Sequence, residues 1–312
     1  MRKKLTPSSA VPIKIGVFAL LLFSIVVINP TPEFLSKNNN LTEADFVLNV
    51  GKVAGASTTT LPKIKIPNTP APSITATNAI AINMETGETL YEKNPDTPVP
   101  PASTTKIVTA LVILENYDLS KVVTVPITCV GLDEPVVGFL PNDQVTIENL
   151  LYGMLVKSAS DSACTLAHVD ASYGDFIKKM NDKAKSLGLT NTVFSNEIGF
   201  DGEEQNQLTT ARDLSVLSRE AIKNDIFRII VGTREIKITT KLFKQSYTIT
   251  TTNELLNTLP GTTGIKTGNT EKAKGCLVFS YDNLGKKVLI VVLGSDDRFG
   301  DTKNILNWIL RL

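Results

Sequence analysis

The 312-residue chain is 42% hydrophobic and 20% charged, which excludes disorder throughout and leaves room for one large domain or two small ones. Its 32 Lys and Arg nearly cancel 31 Asp and Glu, so no overall field exists to hold nucleic acid by charge, and no nucleic-acid partner is expected. Three cysteines, Cys129, Cys164 and Cys276, are too few and too scattered for a disulfide framework. Cys164 and Cys276 read as small buried apolar residues, with a bridge between two of the three left open. The single histidine, His168, cannot build a multi-histidine metal site and reads as a helix-surface or packing residue.

At the N-terminus, Arg2, Lys3, Lys4 and Lys14 precede an apolar stretch from Ile15 to Ile28, closed by Asn29-Pro30. A basic region followed by an apolar core is the order of a secretory signal or signal anchor. The stretch is short for a span, which needs about 20 apolar residues. No small-x-small cleavage site follows directly, so an uncleaved anchor over 1–29 is favoured over a cleaved signal. Either exports the rest of the chain. Residues 30–73 are rich in Pro, Thr, Asn, Ser and Lys, and read as a disordered linker between the membrane and a domain over 74–312.

Ala79, Ala81 and Asn83 lead through Glu85-Thr86-Gly87-Glu88 into Leu90-Tyr91-Glu92, which predicts a β-hairpin. Val108, Leu111, Val112 and Glu115 recur at helical spacing and predict a helix over 103–116. Residues 146–189 read as two or three helices, and another begins near Thr210, with Asp213 in its first turn. After Arg234 the pattern changes to strands over 248–251, 276–280 and 288–293, and a closing helix is expected from Asn304 to Leu312. Strands at both ends and helices between them predict an α+β domain, its sheet built from both chain ends beside a helical subdomain.

The chemistry concentrates in three segments. In Pro101-Ala102-Ser103-Thr104-Thr105-Lys106, a serine and a lysine stand one turn apart at the start of a helix, within reach of a hydrogen bond. A serine hydroxyl needs an adjacent base, and lysine can serve if burial or nearby positive charge keeps it neutral. Lys266-Thr267-Gly268, followed by Asn269, lies on or entering a strand. There the glycine lets a substrate backbone approach, while the lysine and threonine offer a cation and a hydroxyl to a carboxylate. Between them lies Lys157-Ser158-Ala159-Ser160-Asp161, at the junction of two helical runs. Elements of these three kinds, in this order, form the signature of class A β-lactamases and penicillin-binding proteins.

Over residues 75–312 the chain resembles the D-alanyl-D-alanine carboxypeptidases, the low-molecular-mass penicillin-binding proteins. Leu150-Leu151-Tyr152-Gly153-Met154-Leu155, Phe194-Ser195-Asn196 and Gly264-Ile265-Lys266-Thr267-Gly268 add to the likeness. The resemblance implies a β-lactamase/DD-peptidase-like fold, peptidoglycan stem peptides as substrate, β-lactams as acylating inhibitors, and no cofactor or metal. It implies Ser103 as nucleophile, Lys106 as general base, Ser158 as proton relay and Lys266 as its electrostatic support. Thr267 and Arg298 would bind the terminal carboxylate, and the N–H groups of Ser103 and Asn269 would form an oxyanion hole. One departure is Ser160, where relatives usually carry an asparagine whose amide contacts substrate. Serine cannot span the same gap as donor and acceptor together. Competing expectations are a non-catalytic muropeptide-binding descendant and a β-lactamase with Glu197 as water-activating base; D,D-endopeptidase action would use the same residues.

Overall fold

The structure, a computed structural model, describes residues 70–133, 135–169, 172–200 and 206–311. The expected anchor over 1–29 and most of the expected linker, 30–69, lie outside the described residues. Among the described residues no helix is long and apolar enough to cross a membrane.

The chain opens with β1 (Asn78–Asn83) and β2 (Thr89–Lys93), paired as the expected hairpin. Its turn is built by Asn83, whose side-chain oxygen accepts from the N–H groups of Glu85 and Thr86. A 3₁₀ turn, Ala102–Thr105, then runs into α1 (Lys106–Asn116). Every residue of α1 from Lys106 to Ile113 is buried, so this helix sits in the interior of the domain. A small two-stranded sheet, β3 (Val122–Thr124) with β4 (Gln144–Thr146), precedes three helices: α2 (Ile147–Val156), α3 (Ser160–Ala167) and α4 (Tyr173–Ser186). Next come α5 (Ala211–Ala221), capped by Thr210 accepting from the Asp213 N–H, and α6 (Asp225–Val231).

The strand expected at 248–251 is β6 (Ser246–Thr250). It pairs only with β5 (Glu235–Thr239), as a second small hairpin, and takes no part in the central sheet. After α7 (Leu255–Thr258) come β7 (Thr262–Thr270), β8 (Lys274–Asn283) and β9 (Lys286–Ser295). The last helix, α8 (Arg298–Leu310), starts six residues before the expected Asn304, because Asp297 caps it by accepting from the Gly300 N–H at 2.9 Å.

The five-stranded antiparallel sheet has the order β2-β1-β9-β8-β7, so the two chain ends meet where β1 pairs with β9. Alternation divides its side chains between two layers. Ile80, Ile82, Leu289 and Val291 face the core shared with α1, α2 and α5. Ala79, Ala81, Ile290 and Val292 face α8 through Ile305, Leu306 and Ile309. The β7 strand is left at an edge, beside the 3₁₀ turn that carries Ser103.

Cys129 and Cys164 are joined by a disulfide, which corrects the reading of Cys164 as a simple apolar residue. The bridge ties the segment before residue 130 to α3. Cys276 is buried on β8, as expected. His168 ends α3 as an exposed residue whose ring stacks on Tyr173, in keeping with a packing role.

Candidate active site

Local backbone geometry sets both serines. Ala102 has a left-handed conformation, φ 47°, immediately before Ser103, and Ser158 is itself left-handed, φ 65°, between α2 and α3. Each such non-glycine residue costs about 1–2 kcal/mol, which the surrounding structure must supply. In a 3₁₀ turn, positions i and i+3 eclipse. Lys106 therefore lies directly along from Ser103, with its Nζ 2.9 Å from Ser103 Oγ.

Lys106 is 1% exposed. Burial pulls its pKa down to about 7, while the nearby Glu197 carboxylate acts in the opposite direction. Its Nζ also donates to the carbonyl of Ile198 at 2.6 Å, and Ser103 Oγ lies 3.3 Å from the same oxygen. Lys266, equally buried, donates 2.7 Å to Ser158 Oγ and 2.8 Å to the Thr267 carbonyl. Desolvation holds its pKa well below the ordinary lysine range, and repulsion from Lys106 and Arg298 adds to the effect. Two lysines with weakened hold on their protons thus serve two separate serines.

Strand β7 supplies the other wall. A Cβ on Gly268 would stand 3.0 Å from the Ser103 nitrogen, so glycine is what lets the edge strand come this close to the turn. Thr267 Oγ1 is 2.6 Å from Thr252 Oγ1, and Arg298, the first residue of α8, donates from Nη1 to the Gly268 carbonyl at 3.3 Å. The early start of α8 is what places Arg298 here. A cleft of about 270 Å³ opens above Ser103 and Lys106 and is lined also by Ser160, Asn269 and Thr270. All nine expected site residues, Ser103, Lys106, Ser158, Ser160, Lys266, Thr267, Gly268, Asn269 and Arg298, therefore fall on this one stretch of sheet edge and helix ends.

Two supports went unremarked in the sequence. The first is the segment 196–200. Asn196 accepts from the N–H groups of Gly199 and Phe200 and donates to the Phe200 carbonyl at 2.8 Å, and Gln207 braces the same turn. Gly199, φ 87°, lies so tightly on the Ala102–Ser103 peptide that any Cβ there would overlap the Ala102 carbonyl. The second is Asp161, 2% exposed, whose carboxylate accepts from the N–H groups of Val137, Gly138 and Phe139 and so fixes the wall opposite β7. Asn196 and Asp161 stand in segments already singled out, but nothing local marks them as loop clamps.

Potential ligand atoms of Cys129, Cys164 and His168 lie within 4.8 Å of one another, but the two sulfurs are bonded to each other and offer no thiolate. Glu197, the expected base of a β-lactamase, is buried with its carboxylate on the Tyr173 hydroxyl at 2.6 Å.

A buried serine–lysine pair, a second serine–lysine pair, and a cationic end beside an open sheet edge are the parts of a serine acyl-transfer site acting on a carboxylate-bearing chain. The chain belongs to the D-alanyl-D-alanine carboxypeptidase family of serine peptidases, whose profile matches residues 65–297. It is 36% identical over 260 residues to a D-alanyl-D-alanine carboxypeptidase of Streptomyces sp., covering 76% of this chain and 88% of that one. It is 32% identical to the D-alanyl-D-alanine carboxypeptidase DacF of Bacillus subtilis, covering 70% of this chain but only 57% of that longer protein. Among solved structures, a Streptomyces DD-transpeptidase superposes with a TM-score of 0.73 at 35% identity, covering 78% of this chain and all of the other. A D-alanyl-D-alanine carboxypeptidase of Mycobacterium tuberculosis superposes with a TM-score of 0.74 at 30% identity, covering 78% of this chain and 94% of the other.

Proposed function

We propose that this protein is a serine D-alanyl-D-alanine carboxypeptidase that removes the terminal D-alanine of peptidoglycan stem peptides. The observation that carries this is the buried Lys106 amine, 2.9 Å from Ser103 Oγ, with its pKa brought down to about 7. A lysine in that state takes the hydroxyl proton as Ser103 Oγ bonds to the carbonyl carbon of the penultimate D-alanine. The oxyanion is held by the N–H groups of Ser103 and Asn269. The proton reaches the leaving amine through Ser158, supported by Lys266; the C–N bond breaks and D-alanine departs. Water then cleaves the Ser103 ester by the reverse proton path, releasing the shortened peptide. Thr267 and Arg298 hold the terminal carboxylate until D-alanine departs. β-Lactams acylate the same serine.

The work is done outside the cytoplasmic membrane, with residues 1–29 as tether and 30–73 as spacer. The Cys129–Cys164 disulfide fits an oxidising compartment. Relatives are variously called carboxypeptidase, endopeptidase and DD-transpeptidase, and an acyl-enzyme on Ser103 could in chemical terms be resolved by water or by an amine. Water is the acceptor assigned to this chain.

Intact-mass measurement after incubation with benzylpenicillin, with Ser103→Ala alongside, tests the nucleophile. An adduct on the parent that is absent from the variant is expected. A folded parent that takes no adduct would point instead to a muropeptide-binding role. Release of free D-alanine from a D-Ala-D-Ala peptide then separates hydrolysis from transfer to an added amine.

A further inference from the structure

Strands β5 and β6 form a hairpin whose tip is Lys241-Leu242-Phe243-Lys244. All four residues are exposed, Leu242 by 51% and Phe243 by 44%, so two large apolar side chains stand in water between two lysines. From Ile236 to Asn253 the sequence holds Lys237, Lys241 and Lys244 and no acidic residue. Leu140, 43% exposed, adds a third apolar side chain from the turn against which the tip lies.

The tip is fixed from below. The Thr240 N–H donates to the Gln245 carbonyl at 2.9 Å, and the Lys241 N–H to the Gln144 carbonyl at 2.7 Å. The carboxylate of the buried Asp143 accepts from the Phe243 N–H at 3.2 Å, while the Asp143 N–H donates to the Leu140 carbonyl. These bonds order the turn in advance, so covering Leu242 and Phe243 costs little further backbone freedom. An apolar pair flanked by lysines suits the interface of a bilayer: the apolar side chains enter the acyl boundary, and the lysine stems lie along it with their ammonium groups among the phosphates. A protein groove would accept leucine and phenylalanine equally well, but the charge on this tip is of one sign, and the tether proposed over residues 1–29 keeps a lipid surface beside the domain.

We infer that the β5–β6 tip is a second, reversible contact with the membrane, seated on anionic lipid headgroups by Lys241 and Lys244, with Leu242 and Phe243 in the acyl boundary. The inference rests on the membrane-tethered reading of the chain and is independent of its carboxypeptidase activity. It bears on the active site, because Thr252 Oγ1 lies 2.6 Å from Thr267 Oγ1. Phe243 and Thr252 are joined through β6, so at about 3.3 Å per residue a docked tip keeps the site within roughly 30 Å of the lipid surface.

The full chain in vesicles of phosphatidylcholine, with and without phosphatidylglycerol, gives the test. An environment-sensitive fluorophore is attached to Leu242→Cys in a Cys276→Ala background, the other two cysteines being bridged, and for comparison to Leu284→Cys at the exposed β8–β9 turn. A blue-shifted emission quenched by brominated lipid is expected from the first position in the anionic vesicles and not from the second. In about 1 M salt, or with Lys241→Glu and Lys244→Glu together, it reverts to the emission in water. A readout without a label is lysine acetylation followed by mass spectrometry, in which Lys241 and Lys244 of the unaltered chain should react about fivefold more slowly on anionic than on neutral vesicles. Equal acetylation of both lysines on the two kinds of vesicle overturns the inference. So does a blue shift that needs no lipid and grows with protein concentration, which would assign the tip to a second copy of the chain. Flotation with neutral vesicles reports the tether separately: a chain that stays behind loses the membrane-tethered reading, while acetylation with anionic vesicles in excess still decides whether lipid covers the tip.

Discussion

The Nζ of Lys106 is closer to the carbonyl oxygen of Ile198, at 2.6 Å, than to Ser103 Oγ, at 2.9 Å. The lysine is thus aimed by a backbone group on a turn that Asn196 holds. Asn196→Ala removes the acceptor for two N–H groups and a donor to the Phe200 carbonyl, a loss of roughly 1–3 kcal/mol in a buried turn. The expected result is a folded protein whose acylation by benzylpenicillin slows about 10- to 100-fold. An unchanged rate would show that the turn keeps its place without Asn196.

Acylation should follow the titration of Lys106. Desolvation brings its pKa to about 7 and the Glu197 carboxylate limits the fall, so the neutral, base-competent amine dominates only above pH 7. The acylation rate is expected to rise with pH up to about 7 and to level off beyond it. Glu197→Gln removes the attraction that holds the value up, which moves the inflection to lower pH. An inflection that stays in place would mean that Glu197 does not act on the lysine. The same shift bears on stability. Between pH 7 and 10.5 the unfolded chain binds a proton that native Lys106 lacks, so this group makes stability rise with pH across that window. Below pH 7 both states carry the proton and the cost of burying it is fully present.

Ser160 stands at the first position of α3 and lines the cleft, with its N–H bonded to the Pro135 carbonyl at 2.8 Å. Ser160→Asn keeps that backbone bond and restores an amide where relatives usually have one. The expected gain is about tenfold in kcat/KM for D-Ala-D-Ala peptides, from a contact of roughly 1–3 kcal/mol. A loss would show that this cleft is shaped around the smaller hydroxyl.

The cysteine bridge closes a long loop, its ends 35 residues apart. Constraint of the unfolded chain by a loop of that length contributes roughly 3–4 kcal/mol. Calorimetry of Cys129→Ala or Cys164→Ala should show Tm lower by on the order of 10 °C. Cys276→Ala, outside the bridge, should leave Tm within a few degrees. Equal Tm values for parent and bridge variants would remove the disulfide from the list of stabilising features.

The parts of this molecule that show in the sequence are those with a short-range signature. Asn83, Gly87 and the alternating alanines mark the first hairpin, and Thr210 with Asp213 marks the start of α5. The strands near 276–280 and 288–293 stand out because both faces are covered, so they read as continuous apolar runs. Eight of the nine site residues could be named because three motifs carry them, and Arg298 could be named only from the resemblance. What stayed hidden depends on tertiary neighbours. Cys129 meets Cys164 only because the segment before residue 130 folds back on α3, and no spacing rule marks that pairing. The strand β6 has the composition of a sheet member, yet its partner is β5, a choice set by packing near α2 rather than by its own residues. The start of α8 was missed because Gly300, in its first turn, lowers helical propensity, although Asp297 is a good cap.

The pairing of β1 with β9 joins residues more than 200 positions apart, for example Ala79 with Val292. The sheet therefore cannot close on the growing chain until its last strands are available, whereas the helices between residues 106 and 231 can make their contacts with near neighbours. A chain built this way stays open until its last strands have been made. It then acquires its working surface late, since β7, the strand that carries Lys266 and Gly268, joins the sheet only through β8. Assembly of the site is thus the closing event of folding.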